Sequence, residues 1–395
     1  MKKILFLFLA LMTGLSVVAA TDFEEDGISY AILSEDGLTA EVVYNNGAYV
    51  GDIAIPARVT HDGKTYTVTA LHNQAFFKCT DLYAVSIPAT VTDLGQYTFS
   101  GCTNLASLEL PEGLTAIPNG TFYGCTALTA VTLPETVASL GDFCFSNCSS
   151  LSQINMPASI SAMGKAALMG TALEQFVLPQ GFAELPAYAL SLTTRLTSVT
   201  LHEGTTAIGE CALQGSTALK TVALPSSLQT IGASAFAQCL ALEEMTVPDG
   251  VTALPDKCFY NDMSLQRIVV GSGVIMIGAD CFARYKNTTT APRLADVYLT
   301  ASAVVSGGES FIDAACAQAT LHVPAALVDA YKAQTAWARF GSVVAIADGE
   351  LTGIGNVTWQ PASGDGRAYT LDGRLAASGQ RGIVIVNGKK TVRRK

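Results

Sequence analysis

Through most of the chain, short stretches alternate apolar and polar residues and then stop at a proline. The series is Ile87-Pro88, Leu110-Pro111, Leu133-Pro134, Met156-Pro157, Leu178-Pro179, Leu224-Pro225 and Val247-Pro248. The prolines up to Pro179 are spaced by 23, 23, 23 and 22 residues, and His202 and Gly271 fill the slot where the 23-residue count continues. Nine coils are therefore in register. Self-similarity at a fixed period in this range is the mark of a repeat architecture, in which each unit needs its neighbours to cover its apolar edge. In the coil from Leu105 to Leu128, residues Leu105, Leu108, Leu110, Leu114, Ile117, Phe122, Cys125 and Leu128 are apolar with small or polar residues between them. Leu108-Glu109-Leu110 alternates as a half-buried strand does, and the proline after it suits a strand end. The pattern predicts a mainly β solenoid.

Stacking like positions gives columns. Phe99, Phe122, Phe145, Phe236, Phe259 and Phe282 form an aromatic spine, with Leu168, Leu190 and Leu213 in the middle coils. Gly95, Pro118, Gly141, Gly164, Pro186, Gly209, Gly232, Pro255 and Gly278 mark a turn in every coil. Residues 21–80 read as an N-terminal cap and first widened coil. Within it, Ile28–Leu33 and Leu38–Tyr44 form a hairpin around Ser34-Glu35-Asp36-Gly37, and a second turn lies at His61-Asp62-Gly63-Lys64. Residues 81–300 are the solenoid, interrupted near Asn287–Pro292. Residues 301–348 are an irregular last coil and a helical cap, Ala326–Phe340, whose Tyr331, Trp337 and Phe340 close the core. Residues 349–395 are a short C-terminal β segment.

Compartment follows from the first twenty residues. Lys2 and Lys3 precede an apolar run from Ile4 to Met12 and small residues ending in Val18-Ala19-Ala20, the layout of a signal peptide cleaved between Ala20 and Thr21. The run is too short for a permanent span, so no transmembrane segment is expected after cleavage. Residues 21–348 carry 13 basic and 30 acidic side chains, and residues 349–395 carry eight and three. So acidic a body disfavours nucleic acid and anionic membrane as partners.

The coil from Pro225 to Leu242, PSSLQTIGASAFAQCLAL, resembles the BspA-type leucine-rich repeat of bacterial surface antigens. Asp62-Gly63-Lys64-Thr65-Tyr66 and the closing unit Val323-Pro324 through Tyr331, Trp337 and Phe340 are similar to the same family. The resemblance spans about residues 21 to 348 and implies a secreted or cell-surface binding protein, in some members an adhesin, with no catalytic residues to carry over. Tyr369-Thr-Leu-Asp-Gly-Arg374 and Gly382-Ile-Val-Ile-Val-Asn-Gly-Lys-Lys390 resemble the end of type IX secretion sorting domains. Val384 stands where an aromatic is common, and the segment is short for such a domain; the other reading is a plain hairpin turned at Asn387-Gly388 that docks on the last coil.

Candidate chemistry changes this picture little. Cys79, Cys102, Cys125, Cys148 and Cys239 share one slot with Thr171, Thr193 and Ser216, which predicts buried free thiols in a position that wants a small side chain. Stacked members nonetheless come within disulfide reach. Cys144, Cys258 and Cys281 form a second column, with Ala235 at the same position. The cysteines and the four histidines, His61, His72, His202 and His322, lack zinc spacing, and no nucleophile, P-loop or dinucleotide motif is present, so no metal, cofactor or enzyme activity is expected. His322 is placed beside the last strand. The candidate binding surface is the outward strand face: Ser107, Glu109, Thr132, Gln153, Asn155, Gln175, Thr200, Thr221, Glu244 and Thr246. It is small, polar and free of aromatics, which suits a weak multivalent contact with a host or community protein or a glycan. The alternative is a structural scaffold of the envelope attached through the tail.

Overall fold

The structure is a computed structural model that describes residues 20–284, 293–307, 316–347 and 350–351, together with backbone strands in the tail. Two units are present, Met1–Ile346 and Ala347–Lys395. The N-terminal cap is an antiparallel start to a parallel stack. Phe23–Glu25, Ile28–Ser34 and Thr39–Val42 pair antiparallel in sequence order, and Thr39–Val42 then pairs parallel with Lys64–Leu71. Arg58–His61 folds back on Lys64–Leu71 through Asp62 and Gly63, at φ 49° and 75°, the left-handed pair a two-residue hairpin needs.

Beyond the cap the chain winds with two strand sides and one turn side. The first strand side runs from Gly51–Ala54 and Leu82–Ser86 through Ser107–Glu109 and its equivalents to Asp296–Leu299, Thr320–Val323 and Ser342–Ala345. The ladder thus continues past the point at which the sequence pattern loosens, and His322 lies within a strand with another beyond it. Two-residue strands such as Ala116–Ile117, Ser139–Leu140 and Ala162–Met163 build the second side. On the turn side, hydrogen bonds run coil to coil, as from the Phe99 N–H to the Thr121 carbonyl at 2.8 Å and from the Phe122 N–H to the Cys144 carbonyl at 2.8 Å.

The spine stacks as its column requires. Ring centroids are 5.5 Å apart for Phe99 and Phe122, 5.1 Å for Phe122 and Phe145, and 5.3 Å for Phe236 and Phe259, with planes within 10° of parallel. Phe76 and Tyr49 extend it into the cap, at 5.1 Å from Phe99 and 4.7 Å from Phe76 respectively. Tyr331 and Trp337 are fully buried at the other end, as expected of a cap, although the helix predicted over Ala326–Phe340 is broken. It consists of a 3-10 turn Ala325–Leu327, one helical turn Val328–Lys332 and a second 3-10 turn Trp337–Arg339. Burying three large aromatics within so few residues sets the direction of each short piece, so tertiary packing overrides helix propagation.

The glycine and proline column explains where the second side is continuous. Gly95, Gly141, Gly164, Gly209, Gly232 and Gly278 each donate their N–H to the coil before at 2.7–2.8 Å. A Cβ at any of them would lie 2.3–2.6 Å from backbone atoms of the preceding coil. Pro118, Pro186 and Pro255 carry a Cβ and have no N–H to donate. The second side is interrupted at each of these prolines, giving separate ladders over coils 116–163, 184–231 and 253–277. Proline thus divides this side into blocks of three or fewer coils.

The tail unit is a small antiparallel sheet in which Gly382–Val386 lies between Ala368–Tyr369 and Lys389–Arg393. Val386 faces Lys389 in the register, and the Asn387-Gly388 turn read from the sequence lies outside the described residues. Of the signal-peptide reading over residues 1–20, residues 1–19 lie outside the described residues, as do 285–292, which hold the insertion near Asn287–Pro292.

Two substitutions test the stack. Phe145→Ala removes a fully buried ring from between Phe122 and Leu168 and is expected to cost about 3–5 kcal/mol. Gly209→Ala forces a Cβ into the Ala187 backbone and is expected to cost about 1–3 kcal/mol. Urea titrations of both variants measure this, and losses below about 1 kcal/mol would show that the coils do not approach in this way.

Candidate binding face

The strand face brings the predicted residues into line. Register pairs Gln153 with Ala130, Gln175 with Ser198, Thr200 with Val177 and Ala223, Thr221 with Ser198, Glu244 with Arg267 and Thr246 with Val269. Ser107, Glu109, Thr132, Gln153, Gln175, Thr221 and Glu244 are exposed; Asn155, Thr200 and Thr246 are half-buried. Asn155 has a structural task. Its Oδ1 accepts from the Leu133 N–H at 2.6 Å and its Nδ2 donates to the Leu133 carbonyl at 2.9 Å, so the amide substitutes for a main-chain partner between the coils.

Two features of this face were missed by sequence reasoning. First, the outward column does not end at Val269. Tyr298 and His322 continue it with ring centroids 4.1 Å apart, the Arg267 guanidinium lies 4.7 Å from the Tyr298 ring, and His322 Nε2 is 2.9 Å from Asp296 Oδ1. The column is therefore aromatic at its C-terminal end, where Tyr298 and His322 are buried. The strand alternation of Asp296–Leu299 was the available signal, obscured by the insertion before it. Second, the face is interrupted at its middle by a pocket of about 250 Å³ lined by Ile154, Met156, Leu173, Gln175, Phe176 and Val177. The 22-residue interval was its trace in the sequence.

The small-residue slot inside the coils proves to be a donor slot. Cys102, Cys125 and Cys148 direct their thiols at the carbonyls of Phe76, Phe99 and Phe122 at 2.9–3.1 Å, and Ser216 donates to Leu190 at 3.0 Å. Cysteine, serine and threonine exchange here because each is small and carries a proton to give. All ten cysteines are buried and free. Burial pushes the Cys79 thiol up to about 11 and the Cys148 thiol up to about 12. Among the described residues no cluster of three or more His, Cys, Asp or Glu side chains is arranged to hold a metal ion.

Asp262 occupies the same slot one coil after Cys239. Its Oδ1 accepts the Cys239 N–H at 2.8 Å, while its buried Oδ2 has no hydrogen-bond partner. Burial drives its carboxyl well above the usual carboxylate range, and the nearby Cys281 thiol adds to the effect. A neutral carboxyl in this slot holds a proton, as every other occupant does.

The family model for the BspA type leucine rich repeat region matches six copies over residues 69–193 and 183–296. The chain belongs to this family. It is similar in fold to a leucine rich cell surface protein from Faecalibacterium prausnitzii, with 22% identity and a TM-score of 0.50, covering 84% of this chain and 96% of that one. It is also similar to the pneumococcal vaccine antigen PcpA, with 16% identity, a TM-score of 0.50 and coverage of 84% and 100%. Among curated proteins none matches.

A carboxyl with a raised folded-state value stabilises the fold below the unfolded carboxyl range, near pH 4, and that contribution is lost as pH rises through the folded value. Asp262→Asn keeps the shape and supplies a permanent donor. It is expected to raise stability at pH 8 by about 1–3 kcal/mol while changing it little at pH 4. Equal effects at both pH values, in thermal melts of the two proteins, would contradict this. Thiol titration without reductant is expected to find all ten cysteines after unfolding and almost none before it. Recovery of fewer than half on unfolding would mean that disulfides are present.

Proposed function

We propose that this is a secreted or cell-surface protein that binds or adheres to host or community proteins or glycans through its solenoid, without catalysis. The carrying observation is the strand face, on which small polar side chains from successive coils stand in line on a hydrogen-bonded scaffold. Repetition along a rigid ladder turns several modest contacts into avidity, so affinity does not require a single dense hot spot. Membership of a family of surface repeat proteins supports the reading, as does the fold likeness to a cell surface protein and to a vaccine antigen. No helix among the described residues is long and apolar enough to cross a membrane. Export through residues 1–20, and sorting or anchoring through the basic tail, belong to the same proposal and rest on the sequence pattern.

Incubating the mature chain with an array of matrix proteins and glycans tests it. Saturable binding to one or a few components, reduced by Gln153→Ala with Gln175→Ala, is the expected result. A clean absence of binding at high micromolar concentration counts against adhesion and in favour of an envelope scaffold.

A further inference from the structure

The pocket on the strand face has a definite origin. In neighbouring coils the slot residue and the next core leucine are three positions apart, and the leucine N–H closes a turn on the slot carbonyl, as from Leu151 to Cys148 at 2.9 Å and Leu196 to Thr193 at 3.0 Å. Only Ala172 separates Thr171 from Leu173. The turn cannot form, and the Ala172 N–H donates instead to the Leu151 carbonyl at 2.9 Å. Strand Gln175–Val177 still pairs with Ser198–Thr200, but no ladder joins it to Gln153–Ile154; pairing also lapses between Ser107–Glu109 and Ala130–Val131 and between Thr221–Ala223 and Glu244–Val247, yet there the strands stay side by side. A half-open depression forms on the strand face here, floored by the buried Leu173 and Phe176. Val177 is 52% exposed where other coils place Glu109, Thr132 or Thr200.

We propose that this pocket is the anchor site for an extended, cationic segment of a protein partner, one large apolar side chain of which fills it. The proposal rests on the binding reading above and names the partner's chemistry. Shape argues against a small molecule: ligand pockets enclose their ligand, whereas this one, of about 250 Å³, opens on a strand face. It is large enough to receive one large side chain. Its lining decides against a sugar, because the one ring in it, Phe176, is 5% exposed and offers no platform for stacking. Charge sets the sign of the partner. Residues 105–210 hold eight acidic side chains and two basic ones, Lys165 and Arg195, and Arg195 is paired with Glu174. Exposed Glu109, Glu135 and Glu203 leave a field that attracts cations and repels anionic ligands. An apolar anchor within a polar, charged surround is how protein interfaces concentrate their binding energy.

Fluorescent peptides of alternating lysine and serine with a central leucine, a central tryptophan or a central glycine are suitable probes, with a glutamate-and-serine peptide of central leucine as the charge control. Fluorescence anisotropy with the mature chain is expected to show the apolar-centred cationic peptides binding at least tenfold tighter than the glycine-centred one, and the acidic peptide not binding. Inserting one serine after Ala172 restores the 23-residue period and is expected to abolish the preference for an apolar centre. Should that variant not fold, Val177→Ser and Met156→Ser are each expected to weaken the preference at least threefold without lowering the melting temperature appreciably. Equal affinity for leucine and glycine centres, or a preference unchanged in folded variants, overturns the proposal. Binding on the protein array without any such preference rejects the pocket and leaves the adhesion reading standing; absence of both rejects the two together.

Discussion

Everything in this molecule depends on how closely one coil's backbone can approach the next. Parallel strands sit about 4.8 Å apart, and at that distance only certain side chains fit between turns. Glycine is required where an N–H must reach the preceding coil, since a Cβ there would meet its backbone at 2.3–2.6 Å. Flat rings serve in the interior because they stack at nearly the same spacing, 5.1–5.5 Å between centroids. Small donors serve in the slot beside them because a carbonyl of the preceding coil needs a proton. One spacing thus selects three columns of residues.

The same constraint explains where the molecule departs from regularity. Proline in the glycine column removes the N–H and adds bulk, and the second strand side breaks there. Asp262 fills the slot without donating to a carbonyl, and burial raises its carboxyl, which links the stability of that coil to pH. The one-residue deletion between Thr171 and Leu173 costs a turn and opens the strand face. In a solenoid such faults stay local, because each coil touches only its neighbours.

Much of this was legible in the sequence. The proline spacing gave period and register, and the phenylalanine column gave the spine, because identical contacts repeat at identical positions. The ends were harder to read. Phe76 and Tyr49 were missed because the cap's hairpins disguise the register, and the aromatic stretch at Tyr298 and His322 because an insertion precedes it. The helix over Ala326–Phe340 was misjudged, since residue type alone does not reveal that three aromatics must all point inward. The outward residues fall on one strand side, while Asn155 bridges backbones, a role set by a neighbouring carbonyl that no pattern displays. The pocket was visible only as a 22 among 23s.

Native-state hydrogen exchange of the strand amides most directly tests the claim that the strand side is a series of separate ladders that end at defined coils. Amides of Gln153–Ile154 and Gln175–Val177, whose strands are paired on one side only, are predicted to exchange faster than those of Ser198–Thr200 and Ile268–Val270, whose strands are paired on both sides. Uniform protection along all four segments would contradict the account.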